Sequence, residues 1–285
     1  MNEKNRTEKG VLYLVGTPIG NLSDMSERAV KILSEVDFIA AEDTRNSLRL
    51  LTHLGIKKPM ISYFEHNKQE RGEQIVARLK DGESGALITD AGMPAISDPG
   101  EDLVRLCASE GVTVSTIPGP CAAITALTLS ALPTGRFSFE GFLSANKSER
   151  RAALEDLKYE KRTMIFHEAP HKLKATLADM LTAFGGDRRI ALCRELTKLN
   201  EQVLRTSLEG AVAYYEENDP RGEFVLVLEG ATGNTAKKLF WEDMTIPEHV
   251  SHYIDKGMSK NDAIKAAAKD RKVPKNEVYK EVLEI

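Results

Sequence analysis

Short apolar runs recur along the first part of the chain. Each is followed by a turn and then by a segment whose apolar positions repeat at helical spacing. Val11–Val15 leads into Gly16-Thr17-Pro18-Ile19-Gly20-Asn21. Gly85–Thr89 leads into Asp90-Ala91-Gly92-Met93-Pro94 and on through Ser97-Asp98-Pro99-Gly100. Val112–Ile117 leads into Pro118-Gly119-Pro120-Cys121-Ala122-Ala123. This alternation predicts a parallel α/β sheet. Ligands of such sheets sit outside the carboxyl ends of the strands, and glycine, without a Cβ, lets the backbone come close to them. The three turns therefore predict one shared pocket.

The same patterning predicts a helix over Met25–Val36 with Ser23 or Asp24 as N-cap and a strand over Asp37–Ala41. A helix from Glu42-Asp43-Thr44-Arg45 to about Leu54 follows, closed by Gly55. A strand at Met60–Tyr63 and helices at Lys68–Lys80 and Pro99–Glu110 complete an N-terminal α/β domain over 11–118, preceded by a polar, disordered N-terminus over 1–10. Past Pro118-Gly119-Pro120 come a small-residue helix (Cys121–Ala131), a strand (Phe137–Phe142), a polar loop (Ser144–Arg151) and a helix (Arg151–Glu160). A strand at Thr163–His167, a turn at Glu168-Ala169-Pro170-His171 and a helix at Lys172–Phe184 follow. Strands at Ile190–Glu195 and Phe224–Glu229 flank a helix at Leu208–Glu216, which makes 119–230 a second α/β domain. A Gly/Thr/Asn linker over Gly230–Thr235 leads to a helical extension, 236–285, with helices at Ile246–Asp255, Ser259–Lys269 and Pro274–Leu283.

Composition narrows the partners. The 285 residues are 41% hydrophobic and 29% charged, with a net charge of −4. That mild acidity exerts no global pull on nucleic acid, so RNA contact has to come from local basic patches. Lys147, Arg150 and Arg151 lie beside Phe142, a pairing of phosphate contact with stacking or simply a solvated loop. Lys272 belongs to a basic cluster in the extension. No apolar stretch approaches the roughly 20 residues that span a bilayer, and the polar start is no signal peptide. Cys107, Cys121 and Cys193 form neither a disulfide framework nor a metal set, which points to a reduced, cytoplasmic setting. His167, Glu168 and His171 do not make H-E-x-x-H, so no metal is expected; their turn suits a pocket wall.

The motifs differ in weight. Gly16–Gly20 is neither G-x-G-x-x-G nor a Walker A and reads equally as an ordinary strand-to-helix loop. Asp90, at a strand end, reads as a ligand-binding carboxylate; Asp98, before Pro99, reads as a helix cap. Glu42–Arg45 is either a catalytic carboxylate with an anion-binding arginine or a helix N-cap with an acidic first turn. His66 reads as a solvated loop histidine more than as a base.

In order and in company these motifs resemble the tetrapyrrole methylase superfamily, and within it the ribosomal RNA small-subunit methyltransferase I family. The resemblance rests on Gly16-Thr17-Pro18-Ile19-Gly20-Asn21-Leu22, Ala41-Glu42-Asp43-Thr44-Arg45, Thr89-Asp90-Ala91-Gly92-Met93-Pro94 and Ser97-Asp98-Pro99-Gly100. It extends through Pro118-Gly119-Pro120-Cys121-Ala122, Glu168-Ala169-Pro170-His171, Arg194-Glu195-Leu196-Thr197-Lys198 and Gly222-Glu223. It covers about residues 10–230, more weakly the extension. Met93 stands in place of the usual threonine and His167 where tyrosine is common.

The resemblance implies two α/β domains of the tetrapyrrole methylase type with a cofactor cleft between them, plus the small helical extension. It implies a homodimer that uses S-adenosylmethionine to methylate the ribose 2′-hydroxyl of a cytidine in the decoding region of 16S rRNA, as free RNA or in the 30S subunit. Leu14, Pro18, Asp90, Ala91, Gly92, Met93, Cys121 and Ala122 would approach the cofactor from one side and Pro170, Leu192 and Glu223 from the other. Glu42, Asp43, Glu195 and Lys198 are the candidate bases for the hydroxyl proton. Arg45, Lys147, Arg150, Arg151, Arg194 and Lys272 are the candidate RNA contacts. The rival readings are a methylase of a tetrapyrrole or a protein, and a non-catalytic RNA-binding assembly protein. The latter leaves the elaborate turns unexplained.

Overall fold

β1 (Val11–Val15) is buried on both faces, the signature of a parallel strand covered by helices on either side. In the computed structural model, which describes residues 6–231, 241 and 243–283, it is followed by α1 (Glu27–Glu35), β2 (Phe38–Ala41), α2 (Thr44–His53) and β3 (Met60–Ser62). Then come α3 (Lys68–Lys80), β4 (Gly85–Ile88), α4 (Gly100–Ser109) and β5 (Thr113–Ile117). The strands form a five-stranded sheet of order β3-β2-β4-β1-β5, parallel at every pairing. One core, with Ile32, Ile39 and Ile88, lies on one face, and another, with Phe38, Leu79 and Leu103, on the other.

The second half begins with α5 (Ala122–Leu129), β6 (Phe137–Phe142), α6 (Lys147–Asp156), β7 (Thr163–Glu168) and α7 (Pro170–Phe184). It continues with β8 (Arg189–Arg194), β9 (Gln202–Ser207), α8 (Leu208–Glu217) and β10 (Phe224–Leu228). These strands make a mixed sheet of order β6-β7-β10-β8-β9. β6 runs parallel to β7, and the other pairings are antiparallel. One face packs on α7 and α8 through Phe166, Leu173, Leu192 and Leu226. The other packs on α5 through Ile165, Ala191, Cys193 and Val225, and receives Ile19 from the loop after β1.

Three expectations need correction. The cap of α1 is Ser26, whose hydroxyl accepts from the Ala29 amide at 3.1 Å; Ser23 and Asp24 belong to a separate 3-10 turn capped by Asn21. β9 adds a strand between Glu195 and Leu208 that the patterning does not predict. The stretch read as a polar loop up to Arg151 is already helical from Lys147, because the Asn146 side chain accepts from the Ser148 amide at 2.9 Å and starts α6 early. That start turns Arg150 inward.

Residues 1–5 of the expected disordered N-terminus, and 232–235 of the expected linker, lie outside the described residues. The Glu8 amide donates to the Tyr13 hydroxyl at 2.8 Å and the Gly10 amide to the Glu83 carbonyl at 3.1 Å. Both sheets lie in one compact unit that ends at Gly230, and residues from Ala231 form another.

The second unit holds α9 (Ile246–Asp255), α10 (Lys260–Arg271) and α11 (Lys275–Leu283). A capping box between Thr245 and Glu248 starts α9, and Val250, Ile264, Ala267 and Val278 form its core. Arg271 lies over the Trp241 ring and donates to His249 Nδ1 at 3.1 Å, so it serves packing. Lys272 ends α10 in the left-handed region at φ 55°, with its side chain exposed. Among the described residues no helix is long and apolar enough to cross a membrane.

Candidate functional site

The three turns meet. Thr17 and Gly92 form a two-residue bridge, Thr17 N to Gly92 O at 2.9 Å and Gly92 N to Thr17 O at 3.1 Å. Thr17 Oγ1 also donates to the Thr89 carbonyl at 3.0 Å. Gly16 presses backbone to backbone on Gly119, and a Cβ on Gly16 would come within 2.8 Å of the Gly119 Cα and of the Met93 sulfur. Glycine is demanded there by close approach. At Gly92 it is demanded by a φ of 87°.

Beside this junction lies a cavity of about 520 Å³, within the roughly 300–1,000 Å³ typical of small-molecule sites. Ile19, Ala91, Gly92, Met93 and Cys121–Ala123 line it from the turns of the first half and the start of α5. Phe139, Phe142, His167–His171, Cys193, Leu196 and Glu223–Val225 line it from the second sheet. Ala91, Gly92, Met93, Cys121, Ala122, Pro170 and Glu223, all expected near a cofactor, are therefore in its wall.

Leu14, Pro18, Asp90 and Leu192 are not. Leu14 packs into the first sheet's core, and Ile19 takes the place expected for Pro18. The Asp90 carboxylate turns toward α2, where Asn46 Nδ2 donates to it at 3.1 Å. Leu192 points into the core against α7 and α8. Strand side chains alternate, so Cys193, one residue on, meets the cavity instead. Burial pushes the Cys193 thiol up to about 11, keeping it a neutral wall group.

The second-sheet wall depends on a β-bulge that nothing in the hydrophobic pattern announces. Phe139 pairs with Ile165 and Gly141 with Phe166, so Glu140 is an extra residue. Without it Phe139 and Phe142 would face opposite ways. With it both lie on the face of Ile165 and His167. The His167 ring meets Phe139 and Phe142 edge to face, with centroids 5.2 and 5.3 Å apart. Its buried Nε2 has no hydrogen-bond partner among the described residues, and desolvation lowers its pKa, so the ring is neutral at pH 7.

The candidate bases form two groups. Asp43 caps α2, accepting from the Arg45 amide at 2.8 Å and from the Arg45 guanidinium at 3.1 and 2.8 Å, which holds its carboxyl at about 2. A carboxylate so engaged is a poor base. Glu42, at the carboxyl end of β2, has its pKa raised by desolvation and by facing Asp90, Asp98 and Asp43. Asp98 accepts from the Ala95 and Gly100 amides and so ties the turn to the first amide of α4, while the N-cap position itself falls on Pro99, one residue later than expected.

The other pair sits after β8. Lys198 Nζ donates to Glu195 at 2.8 Å and to Glu223 at 2.9 Å. Burial draws the lysine's pKa down, but these two bonds outweigh it and hold it above its ordinary value. Its hydrogen bond with Lys198, then the Glu223 amide, lowers that of Glu195. Both groups are thus locked in their charged forms.

Arg150 does not face RNA. It is buried and gives Nε and Nη2 to Asp179 at 2.9 and 2.7 Å and Nη1 to the Ser144 and Ala145 carbonyls. Arg151 gives Nε to the same Asp179 at 2.7 Å while remaining half exposed. The Arg45 side chain is 87% exposed, Lys147 is exposed at the start of α6, and Arg194 is half-buried at the end of β8.

Both sheets wall one cavity, and residues 11–212 match the family model described as Tetrapyrrole (Corrin/Porphyrin) Methylases. The chain belongs to the tetrapyrrole methylase family. Within it, the chain is 49% identical over 277 residues to the Ribosomal RNA small subunit methyltransferase I of Halalkalibacterium halodurans, covering 97% of this chain and 96% of that protein. It is 46% identical over 281 residues to the protein of the same name from Bacillus subtilis, covering 98% and 96%. Solved structures that share the fold include two methyltransferases. A uroporphyrin-III-C-methyltransferase from Thermus thermophilus matches at TM-score 0.54 and 19% identity, over 77% of this chain and 94% of that one. A cobalt precorrin-4 methyltransferase matches at 0.57 and 16%, over 77% and 95%.

Proposed function

We propose that the chain is an S-adenosylmethionine-dependent methyltransferase that modifies the ribose 2′-hydroxyl of a cytidine in 16S rRNA. One observation carries the reading: the turns resembling the methyltransferase I motifs converge on a single cavity whose opposite wall comes from the second sheet. The lining fits this cofactor. Its walls are largely apolar, as the methylene chain and the adenine face of this cofactor require. Gly92 offers bare backbone, and α5 begins at the wall without a side-chain cap, leaving amide donors for a carboxylate or a ring nitrogen.

Met93, Cys121, Ala122, Pro170 and Val225 would hold the cofactor, with Glu223 toward its polar end. When bound, S-adenosylmethionine supplies an activated methyl group on a cationic sulfur. The protein supplies alignment and proton removal. None of the four candidate bases is in the cavity wall itself. Glu42, at the carboxyl end of β2, is the one assigned the hydroxyl proton, because Asp43, Glu195 and Lys198 are bound up in ion pairs and desolvation with its acidic neighbours raises the Glu42 pKa. Arg45 and Lys147 bind phosphate. Arg194 and Arg151 extend that contact, and Lys272 is a separate candidate cation on the helical unit. The enzyme acts as a homodimer in the cytoplasm, where ribosomes mature. Leu199, whose side chain is almost wholly exposed, is apolar surface that a subunit contact would cover.

Calorimetry with S-adenosylmethionine and transfer of labelled methyl to 30S particles, free 16S rRNA and a porphyrinogen test the proposal. Label in an RNA arm and a 2′-O-methylcytidine in digests are expected. Label in the porphyrinogen alone overturns the substrate assignment, and sedimentation as a monomer overturns the dimer.

A further inference from the structure

Two large apolar side chains at the rim of the cavity remain in water. Phe142 is 60% exposed and Ile96 is 49% exposed, although both belong to the lining. Each is held there by unusual backbone. Phe142 reaches the cavity face only through the extra residue at Glu140 and the positive φ of Gly141, 66°. Ile96 stands between Ala95 and Ser97, both left-handed at φ 67° and 61°. A non-glycine residue pays steric strain there, and two such residues around one exposed isoleucine mark a side chain placed for contact. The two devices adjoin, since a Cβ on Gly141 would lie 3.5 Å from Ser97 Oγ.

A cofactor seated against Gly92, Met93 and Cys121–Ala123 would leave Phe142 and Ile96 for a second ligand at the rim. The ribose hydroxyl of a stacked nucleotide cannot enter a walled cavity, so the target has to leave its stack, and an unstacked base finds its partner on an aromatic face. The Phe142 ring is already braced edge to face by His167, which Phe139 supports from the other side.

We infer that Phe142 and Ile96 form a clamp that grips the unstacked target nucleobase at the cavity mouth, Phe142 as the stacking face and Ile96 as the opposing edge. This rests on the RNA methyltransferase reading of the same site. The chemistry recognised is a planar pyrimidine in single-stranded RNA. Lys147, exposed five residues beyond Phe142, is a cation for the adjoining phosphate.

Steady-state methylation of 30S particles by Phe142→Ala, Phe142→Leu, Phe142→Trp and Ile96→Ala, with calorimetry for S-adenosylmethionine on each, tests the clamp. Phe142→Ala is expected to lose roughly tenfold to a hundredfold in kcat/KM for RNA, the range set by losing one stacked base, with cofactor affinity unchanged. Phe142→Trp is expected to restore activity and Phe142→Leu to fail, since stacking needs a ring; Ile96→Ala is expected to lose less than Phe142→Ala. Equal activity of Phe142→Ala and wild type overturns the clamp, as does an equal loss of cofactor affinity, which would make Phe142 a cofactor wall. Full rescue by leucine overturns the stacking role. A wild-type protein that binds the cofactor yet labels no RNA overturns the RNA reading, and the clamp with it.

Discussion

The two sheets contribute to one cavity by different geometry. In the first, every strand runs the same way, so the turns after β1, β4 and β5 all fall on one edge and reach one another through Gly16, Gly92 and Gly119. In the second, β7 enters the edge and β10 leaves it, with Phe224 opposite Glu168. That sheet offers a face, set by strand alternation and one bulge. A parallel half therefore builds its part of a site from loops, while the mixed half adds strand side chains such as Phe139, Phe142, His167 and Cys193 to its own turns.

The largest test concerns which half does the chemistry. Glu42→Gln is expected to lower the methyl-transfer rate by roughly 10²–10⁴-fold, the usual contribution of a general base, with cofactor affinity intact. A base works deprotonated, so wild-type activity is lost as pH falls through the Glu42 pKa. Burial and the neighbouring Asp90, Asp98 and Asp43 raise that pKa, placing the acid limb above the ordinary carboxylate range. A single-turnover pH profile should lose that limb in Glu42→Gln. A greater loss in Glu195→Gln would move the base to the second half.

Next is the arginine that the second half keeps inside. Asp179→Ala would leave Arg150 as a buried charge without its carboxylate and should cost about 3–5 kcal/mol in urea unfolding. Desolvation opposes the Asp179 charge, but hydrogen bonds from Arg151 and Arg150 outweigh it and keep its pKa lowered. A change below about 1 kcal/mol, the range of an exposed pair, would show that the pair is not structural.

The first half was legible almost throughout, for the reason the comparison supplies. Where all strands are parallel, a motif's place in the sequence is also its place at the edge, so Gly16–Gly20, Asp90–Pro94 and Pro118–Ala122 could be put together unseen. The exceptions are single side chains: Asp90 is drawn aside by Asn46, Leu14 packs into the core, and Ile19 rather than Pro18 reaches the wall. In the second half the helices and four of the strands were legible, while β9 and the facing of the strands were not. Leu192 and Cys193 differ in periodicity only by register. Phe142 reaches the cavity by a bulge, which leaves no compositional trace beyond Gly141. Arg150 reads as a loop cation until the Asn146 cap starts α6 early and turns it toward Asp179.

Leu192→Ala sharpens the register argument. Its side chain belongs to the core against α7 and α8, so the loss should be about 2–5 kcal/mol of stability with cofactor affinity unchanged by calorimetry. A selective loss of affinity at normal stability would put Leu192 in the cavity wall after all.

The smallest effect separates the two kinds of arginine. Arg45 extends into solvent at the end of the parallel sheet, held among the described residues only by Asp43, and a phosphate can replace that partner without unfolding anything. Arg45→Ala should weaken RNA binding about equally for all sequences and reduce the slope of log affinity against log salt by about 1. Stability and cofactor affinity should stay at the wild-type values. Asp43→Ala frees the same guanidinium and should leave the slope intact while weakening the start of α2, so the two variants diverge in salt dependence. An unchanged slope in Arg45→Ala would reduce the arginine to a partner of its own helix cap and leave Lys147, on the second half, to carry phosphate contact at this edge of the site.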